Sequence, residues 1–291
     1  MVPVLSQLQW FDVADPASPE LDELAQRYGL HPLQIEDCRH RPQRPKSEEH
    51  DRYLFTVLKH IHNEKELEFD DVDVFVGPDF LITVRRGDCS WFDGVRTRAQ
   101  QENVTRIDRL FYLIVDQIVD GYQPVLDKLA DDSADIEDEV LDHPDPEMLA
   151  RIFGLKRNLV EFRRIGSGMR EVVNDLIRRE KGLLGDDLDV YFRDIYDHII
   201  RTVELIETYR DLLSGALDIY LSAVANRTNE VMKILTIWGT VALPLVIITG
   251  FFGMNLKLPW EGSYWGTAFV LVLMAVSTIA VLVYFKVKRW F

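Results

Sequence analysis

Residues 234–256 read ILTIWGTVALPLVIITGFFGMNL, 23 residues without a charge, and residues 262–285 read GSYWGTAFVLVLMAVSTIAVLVYF, 24 more. Each exceeds the ~20 apolar residues that cross a hydrocarbon core. Aromatic residues border both runs, as membrane–water interfaces favour. The pair stands at the C-terminal end of 291 residues and reads as two membrane-spanning helices rather than as core helices of a soluble domain. Basic residues set the orientation. Arg227 and Lys233 precede the first run and Lys286, Lys288 and Arg289 follow the second, whereas the loop between them holds only Lys257 and Glu261. Basic residues stay on the cytoplasmic side, so both termini are expected to be cytoplasmic.

The rest of the chain is polar and acidic. Before position 231 there are 28 basic and 47 acidic residues, a formal charge of −19 against −15 for the whole chain. That field attracts cations and opposes nucleic acid, which needs a basic face. The hydrophobic share of 47% and 12 prolines exclude a disordered or collagen-like chain. Cys38 and Cys89 stand far apart with no Cys-x-x-Cys, so neither a disulfide framework nor a zinc knuckle is expected, and a reducing compartment is implied. The first residues, MVPVLSQLQWF, lack the basic start and small-residue cleavage site of a secretory signal.

Residues 1–105 read as a mixed α/β domain. A strand is expected near Leu8–Val13, then a helix capped by Ser18 with Pro19 at its first position, running to Tyr28 and stopping at Gly29. In HPLQIEDCRHRPQRPK (31–46), Pro42 and Pro45 argue against regular helix. Tyr53–His62, Asp70–Val76 and Phe80–Arg85 carry β-branched and aromatic residues, and Gly77-Pro78-Asp79 predicts a hairpin between the last two. Residues 106–186 form a long-helix region: one helix over Asp108–Leu141 with Pro124 as its kink, another over Pro146–Lys181, and a break at Gly182–Asp187. A stalk helix over 187–230 then continues into the first span, 231–253. From Leu188 to Phe252 only Pro244 interrupts, and an unbroken helix of that length measures ~100 Å. A loop, 254–263, the second span, 264–285, and a basic tail, 286–291, complete the chain.

A helix that long needs neighbours. Asn229, Met232, Thr236, Gly239, Leu243, Val246 and Gly250 recur at alternating steps of three and four, the seam of a parallel bundle, with Gly239 and Gly250 permitting close approach. Packing between membrane helices would explain the same residues equally well. The acidic run Asp131, Asp132, Asp135, Glu137, Asp138, Glu139 and Asp142 reads as a solvated helix face.

The tripeptide Gly253-Met254-Asn255 stands at the outer end of the first span, seven residues before the second uncharged run. With YRDLLSGALDIYLSAVANRTNEVMKILT upstream, VYFKVKRW at the end, and RPK and YLF in the N-terminal domain, the chain resembles the CorA family of divalent-cation channels, densest over Tyr191–Asn255. The resemblance implies a funnel-shaped homopentamer of the inner membrane that passes Mg²⁺ and Co²⁺ down the electrochemical gradient, without enzymatic activity. It leaves Zn²⁺ and Ni²⁺ open as further ions. Asn255 would form the ring at the outer mouth, with Gly253 and Met254 holding its turn. Asn229, Met232, Leu235 and Leu243 would narrow the pore near its cytoplasmic end. Asp88 and Asp194 match the carboxylates that bind regulatory cytosolic Mg²⁺ between subunits. Mg²⁺ sheds water reluctantly, so an amide ring that holds a hydrated ion suits it better than carboxylates that strip it. On spacing alone, Asn255 would equally serve as a helix cap, and each aspartate as a surface charge.

Three residues depart from the family pattern: Lys257 where many relatives carry an acid soon after the motif, Val246 where relatives can carry threonine, and Leu243 in place of the methionine of some relatives. Two other readings stay open. A zinc-transporting branch shares the motif and would couple to protons, and His60 and His62 fall on one strand face. A membrane-anchored acidic sensor that never conducts is the alternative of another class. No Walker loop, Gly-x-Ser-x-Gly or His-Glu-x-x-His occurs, so transport powered by this chain's own nucleotide hydrolysis is not expected.

Overall fold

A computed structural model describes residues 8–63, 67–87, 91–141, 144–179, 182–254, 263–288 and 290. The chain divides into two compact units, Met1–Leu217 and Asp218–Phe291.

In the first unit a five-stranded sheet runs in the order β1 (Gln9–Val13), β5 (Phe80–Val84), β4 (Glu68–Val76), β3 (Leu54–Asn63) and β2 (Lys46–Glu49). The outer pair β1–β5 is parallel, with Gln9 opposite Phe80, and every other pair is antiparallel. The expected hairpin is β4–β5, with Val76 opposite Leu81. β5 is buried along its whole length and β3 along most of it; burial on both faces is why β5 reads FLITV with no apolar–polar alternation, whereas β3 also buries Thr56 and Lys59. One face packs against α1 (Pro19–Tyr28) and α2 (Pro32–Arg39), with Leu21, Leu24, Ile35, Phe55, Phe75 and Ile82 in one cluster. The helices α4 (Ile107–Asp120) and α6 (Pro146–Arg178) also pack on the sheet.

Local chemistry sets the helix ends. Ser18 Oγ accepts the Glu20 N–H at 3.2 Å, and Gly29 adopts the left-handed conformation, φ 65°, that ends α1. Asp145 caps α6 by accepting the Met148 N–H at 2.8 Å. Three expectations are corrected. The 31–46 stretch does hold a helix, α2, because Pro32 takes the first helical position, where no N–H is needed, and Pro42 and Pro45 lie beyond its end. The helix over 108–141 is two, α4 and α5 (Tyr122–Glu139), parted at Gly121; Pro124 sits in the first turn of α5, where its missing donor costs nothing. β2 and α3 (Trp91–Gln101) carry no pattern that foretold them.

After a short 3₁₀ turn at Asp186–Leu188, α7 (Asp189–Phe252) runs 64 residues without a break, Pro244 included. Within the first unit its buried face, Phe192, Ile195, Ile199, Val203, Ile206 and Leu213, continues the core. Arg163 pairs with Glu207 at 2.8 Å, and Lys156 donates to Ser214 Oγ at 3.0 Å. In the second unit α7 is joined by α8 (Tyr264–Val287), which Ser263 caps by accepting the Trp265 N–H at 3.3 Å. Both helices are long and apolar enough to cross a membrane.

Candidate functional site

The candidate site is built on α7. From Lys233 to its end, the half-buried positions of α7 are Ile237, Val241, Pro244, Leu245, Ile248 and Phe252, one stripe at helical spacing. α8 carries a matching stripe, Gly266, Val270, Met274, Ser277, Val281 and Phe285. At ~100° per residue, the seam of Asn229, Met232, Thr236, Gly239, Leu243, Val246 and Gly250 lies about 180° from the α7 stripe. Every seam residue is exposed in the single chain, with Met232, Leu243 and Val246 between 57% and 64% accessible; Leu235, at 61%, borders the same face. Thus α8 covers one side of α7 and leaves the seam uncovered.

The seam is dry in character. Two hydroxyls along this stretch turn back onto the helix, Thr236 donating to the Met232 carbonyl at 2.7 Å and Thr249 to the Leu245 carbonyl at 2.8 Å. Such bonds satisfy a polar group in a medium without water. Asn229 and the glycines aside, the face offers apolar groups.

At its C-terminal end, α7 closes tightly. The Gly253 N–H donates to the Thr249 carbonyl at 2.8 Å and the Met254 N–H to the Phe251 carbonyl at 3.3 Å. A Cβ on Gly253 would stand 2.8 Å from the Thr249 carbonyl oxygen, closer than real Cβ contacts, so the turn requires glycine. Asn255, Lys257 and Glu261 lie outside the described residues.

Asp194 projects from α7 in the first unit and is largely exposed. His198, one turn on, places Nε2 4.0 Å from the Asp194 carboxylate and Nδ1 3.9 Å from that of Asp120 on α4. Burial, then the neighbouring Asp116, raises the Asp120 pKa from its ordinary value. Asp194 and His198 are four apart in sequence, a spacing that could have revealed the pair; the approach of Asp120 is tertiary and left no signal. Asp88 lies outside the described residues, so its place relative to Asp194 is not defined; the last described residue before it, Gly87, has φ 76°.

The start of α7 is anchored by charge. Arg106 bonds both Asp108 and Asp187, and Asp108 also accepts the Gly185 N–H at 2.9 Å. The Arg106 guanidinium holds the Asp187 carboxyl below its ordinary range. Arg109 sits over the rings of Tyr112 and Tyr191, 4.7 and 4.3 Å from their centroids, a cation–π clamp between α4 and α7.

Elsewhere, the acidic residues of α5 from Asp131 to Glu139 face solvent, with Asp132 partly covered; Asp142 lies outside the described residues. His60 stacks on Trp91 at 4.7 Å, and burial, then His62, lowers its pKa to about 4. His62 is exposed beside Asp70 at 3.4 Å. Among the described residues, no three His, Cys, Asp or Glu groups are placed to hold a metal. Cys38 is a free, buried thiol whose pKa is pushed up by burial, then by Asp73; Cys89 is outside the described residues.

Residues 6–289 match the family model of the CorA-like Mg²⁺ transporter protein. Over 274 residues the chain is 40% identical to the cobalt/magnesium transport protein CorA of Thermotoga maritima, covering 90% of this chain and 77% of that protein. Its structure resembles the complete CorA magnesium transporter of Methanocaldococcus jannaschii, with a TM-score of 0.86 at 26% identity, covering 98% of this chain and 92% of that one. The full-length CmaX protein shares the fold, with a TM-score of 0.77 at 18% identity, over 97% of this chain and 88% of that one.

Proposed function

The chain belongs to the CorA-like Mg²⁺ transporter family, and on that premise we propose that it is a homopentameric channel of the inner membrane that admits Mg²⁺, and Co²⁺ beside it, down the electrochemical gradient. The observation that carries this reading is the uncovered seam of α7, opposite the stripe that matches α8. Five such seams brought together enclose an axial path and leave the α8 helices outside it. Met232, Leu235 and Leu243 form apolar rings that close by dewetting. At the outer mouth, five Asn255 amides receive the ion with its water shell, held there by the tight turn at Gly253 and Met254. Both termini lie in the cytoplasm, and an inside-negative potential draws a divalent ion inward with ~4.6 kcal/mol per 100 mV, twice the single-charge value.

Closure follows from cytosolic Mg²⁺ held between subunits by Asp88 and Asp194. Each subunit brings −19 before position 231, or −95 for five, so cations at the interfaces offset a strong mutual repulsion. Their departure lets the long helices part.

The test is ion flux into proteoliposomes of the full chain under an imposed inside-negative potential, with and without Mg²⁺ on the cytoplasmic face. Mg²⁺ flux that fades as cytoplasmic Mg²⁺ rises is the expected result; Asn255→Ala abolishes it, and Asp194→Asn or Asp88→Asn relieves the fading. Flux of Zn²⁺ alone that follows a pH gradient, or no flux of any ion, overturns the reading.

A further inference from the structure

Within the second unit, Ile234, Ile237 and Val241 of α7 and Leu282 of α8 wall an apolar groove of about 560 Å³, flanked by the indoles of Trp238 and Trp290. Trp290 is folded back onto the helix that precedes it: its backbone N–H donates to the Phe285 carbonyl at 3.0 Å, and its ring lies 5.2 Å from the Phe285 ring. The rim is basic. Lys233 borders the groove, Lys286 stands one turn beyond Leu282 on the same side of α8, and Lys288 follows at the helix end. None of the three is ion-paired among the described residues. This is a local reversal of charge in a chain whose preceding residues are strongly acidic.

The groove is on the α8 side of α7, about 180° from the seam, so assembly through the seam leaves it toward the lipid. Apolar walls, paired indoles at the membrane boundary and a rim of three lysines against one glutamate, Glu230, are complementary to an amphiphile with a negative head. We propose that the groove holds one anionic phospholipid, with an acyl chain along Ile237 and Val241 and the phosphate at Lys233 and Lys286. Glu230, the acidic residue of the lining, stands three residues before Lys233, ~4.5 Å further from the apolar end, so Lys233 lies between it and the phosphate. The proposal rests on the two-span, cytoplasmic-termini reading above.

The experiment is native mass spectrometry of the full-chain protein in detergent, titrated with phosphatidylglycerol, with phosphatidylcholine of the same chains, and with inorganic phosphate. Phosphatidylglycerol is expected to bind in preference, unaffected by phosphate, and Lys233→Gln and Lys286→Gln should each weaken it about fivefold, the equivalent of ~1 kcal/mol per basic residue. Val241→Trp fills the groove without changing its charge and should abolish selective binding. Equal affinity for the two lipids, displacement by phosphate, retained preference in the double lysine variant, or full binding by Val241→Trp would each overturn the proposal. So would a disulfide joining two subunits through Val241→Cys, which would make a second copy the occupant. Flotation with liposomes after an alkaline wash and the mass of the assembly are read on the same samples. Loss of flotation in the wild type refutes the membrane reading and a monomer mass refutes the assembly, whereas loss of lipid preference alone refutes only the groove.

Discussion

Replacing Arg41 by methionine tests how the α/β domain holds the strand that leads to Asp88. Arg41 and Asp73 are a buried pair, 7% and 0% exposed, with nitrogen and oxygen 2.6 Å apart. The same guanidinium donates to the carbonyls of Asp71 at 2.6 Å, Cys38 at 3.0 Å and Val84, the last residue of β5, at 3.1 Å. Methionine keeps most of the volume and none of the donors. It leaves a buried carboxylate unpaired and takes a donor from three carbonyls, and removing one partner of such a pair costs about 3–5 kcal/mol. For a unit of this size ~1 kcal/mol moves Tm by about 2–4 °C, so a fall of roughly 10 °C is expected. The cost depends on pH. Burial already lifts the Asp73 pKa to about 6 despite Arg41, the second-largest influence, which lowers it; without Arg41 it rises further. A carboxyl whose folded pKa is raised gives stability that is present below its unfolded value, near 4, and lost as pH rises through the folded value. Uptake of that proton also removes the charge that Arg41 serves, so the difference between variant and wild type should be full at pH 8 and smaller at pH 5. Thermal melts of the detergent-purified full chain, at one scan rate and several pH values, measure this. A drop of under ~2 °C at pH 8, or one that grows as pH falls, refutes the reasoning. Removing both partners, as Arg41→Met with Asp73→Leu, should recover much of the loss, because no buried charge then stands alone.

Gly253→Ala places a Cβ against the Thr249 carbonyl and should cut Mg²⁺ flux at least tenfold with the assembly intact by size-exclusion chromatography; wild-type flux would show that the turn tolerates a side chain. Leu243→Asn wets one apolar ring, so residual flux at high cytoplasmic Mg²⁺ should rise several-fold, and an unchanged residual would remove Leu243 from the gate. His60 is held neutral to about pH 4, so it contributes stability above its unfolded pKa, ~6.5, that fades as pH falls toward 4. Replacement by phenylalanine should flatten that part of the melting profile while leaving the ion preference of transport unaltered, and a changed preference for Zn²⁺ would reopen a metal-binding role.

Much of this architecture is legible in one dimension because its determinants are local or periodic. The two spans follow from runs of uncharged residues, α1 from its cap at Ser18, α6 from Pro146 and the helical spacing after it, and the seam of α7 from steps of three and four that hold whatever surrounds the helix. Tertiary structure decided what depends on residues distant in sequence. The outer pairing of β1 with β5 joins residues about 70 positions apart, the Arg41 network gathers groups from α2, β4 and β5, and the approach of Asp120 to His198 spans 78 positions. Periodicity nominates the seam as a face but cannot tell which side of a lone apolar helix is covered. That was decided by where α8 lies, because burial is a property of two surfaces together and a sequence displays each of them alone.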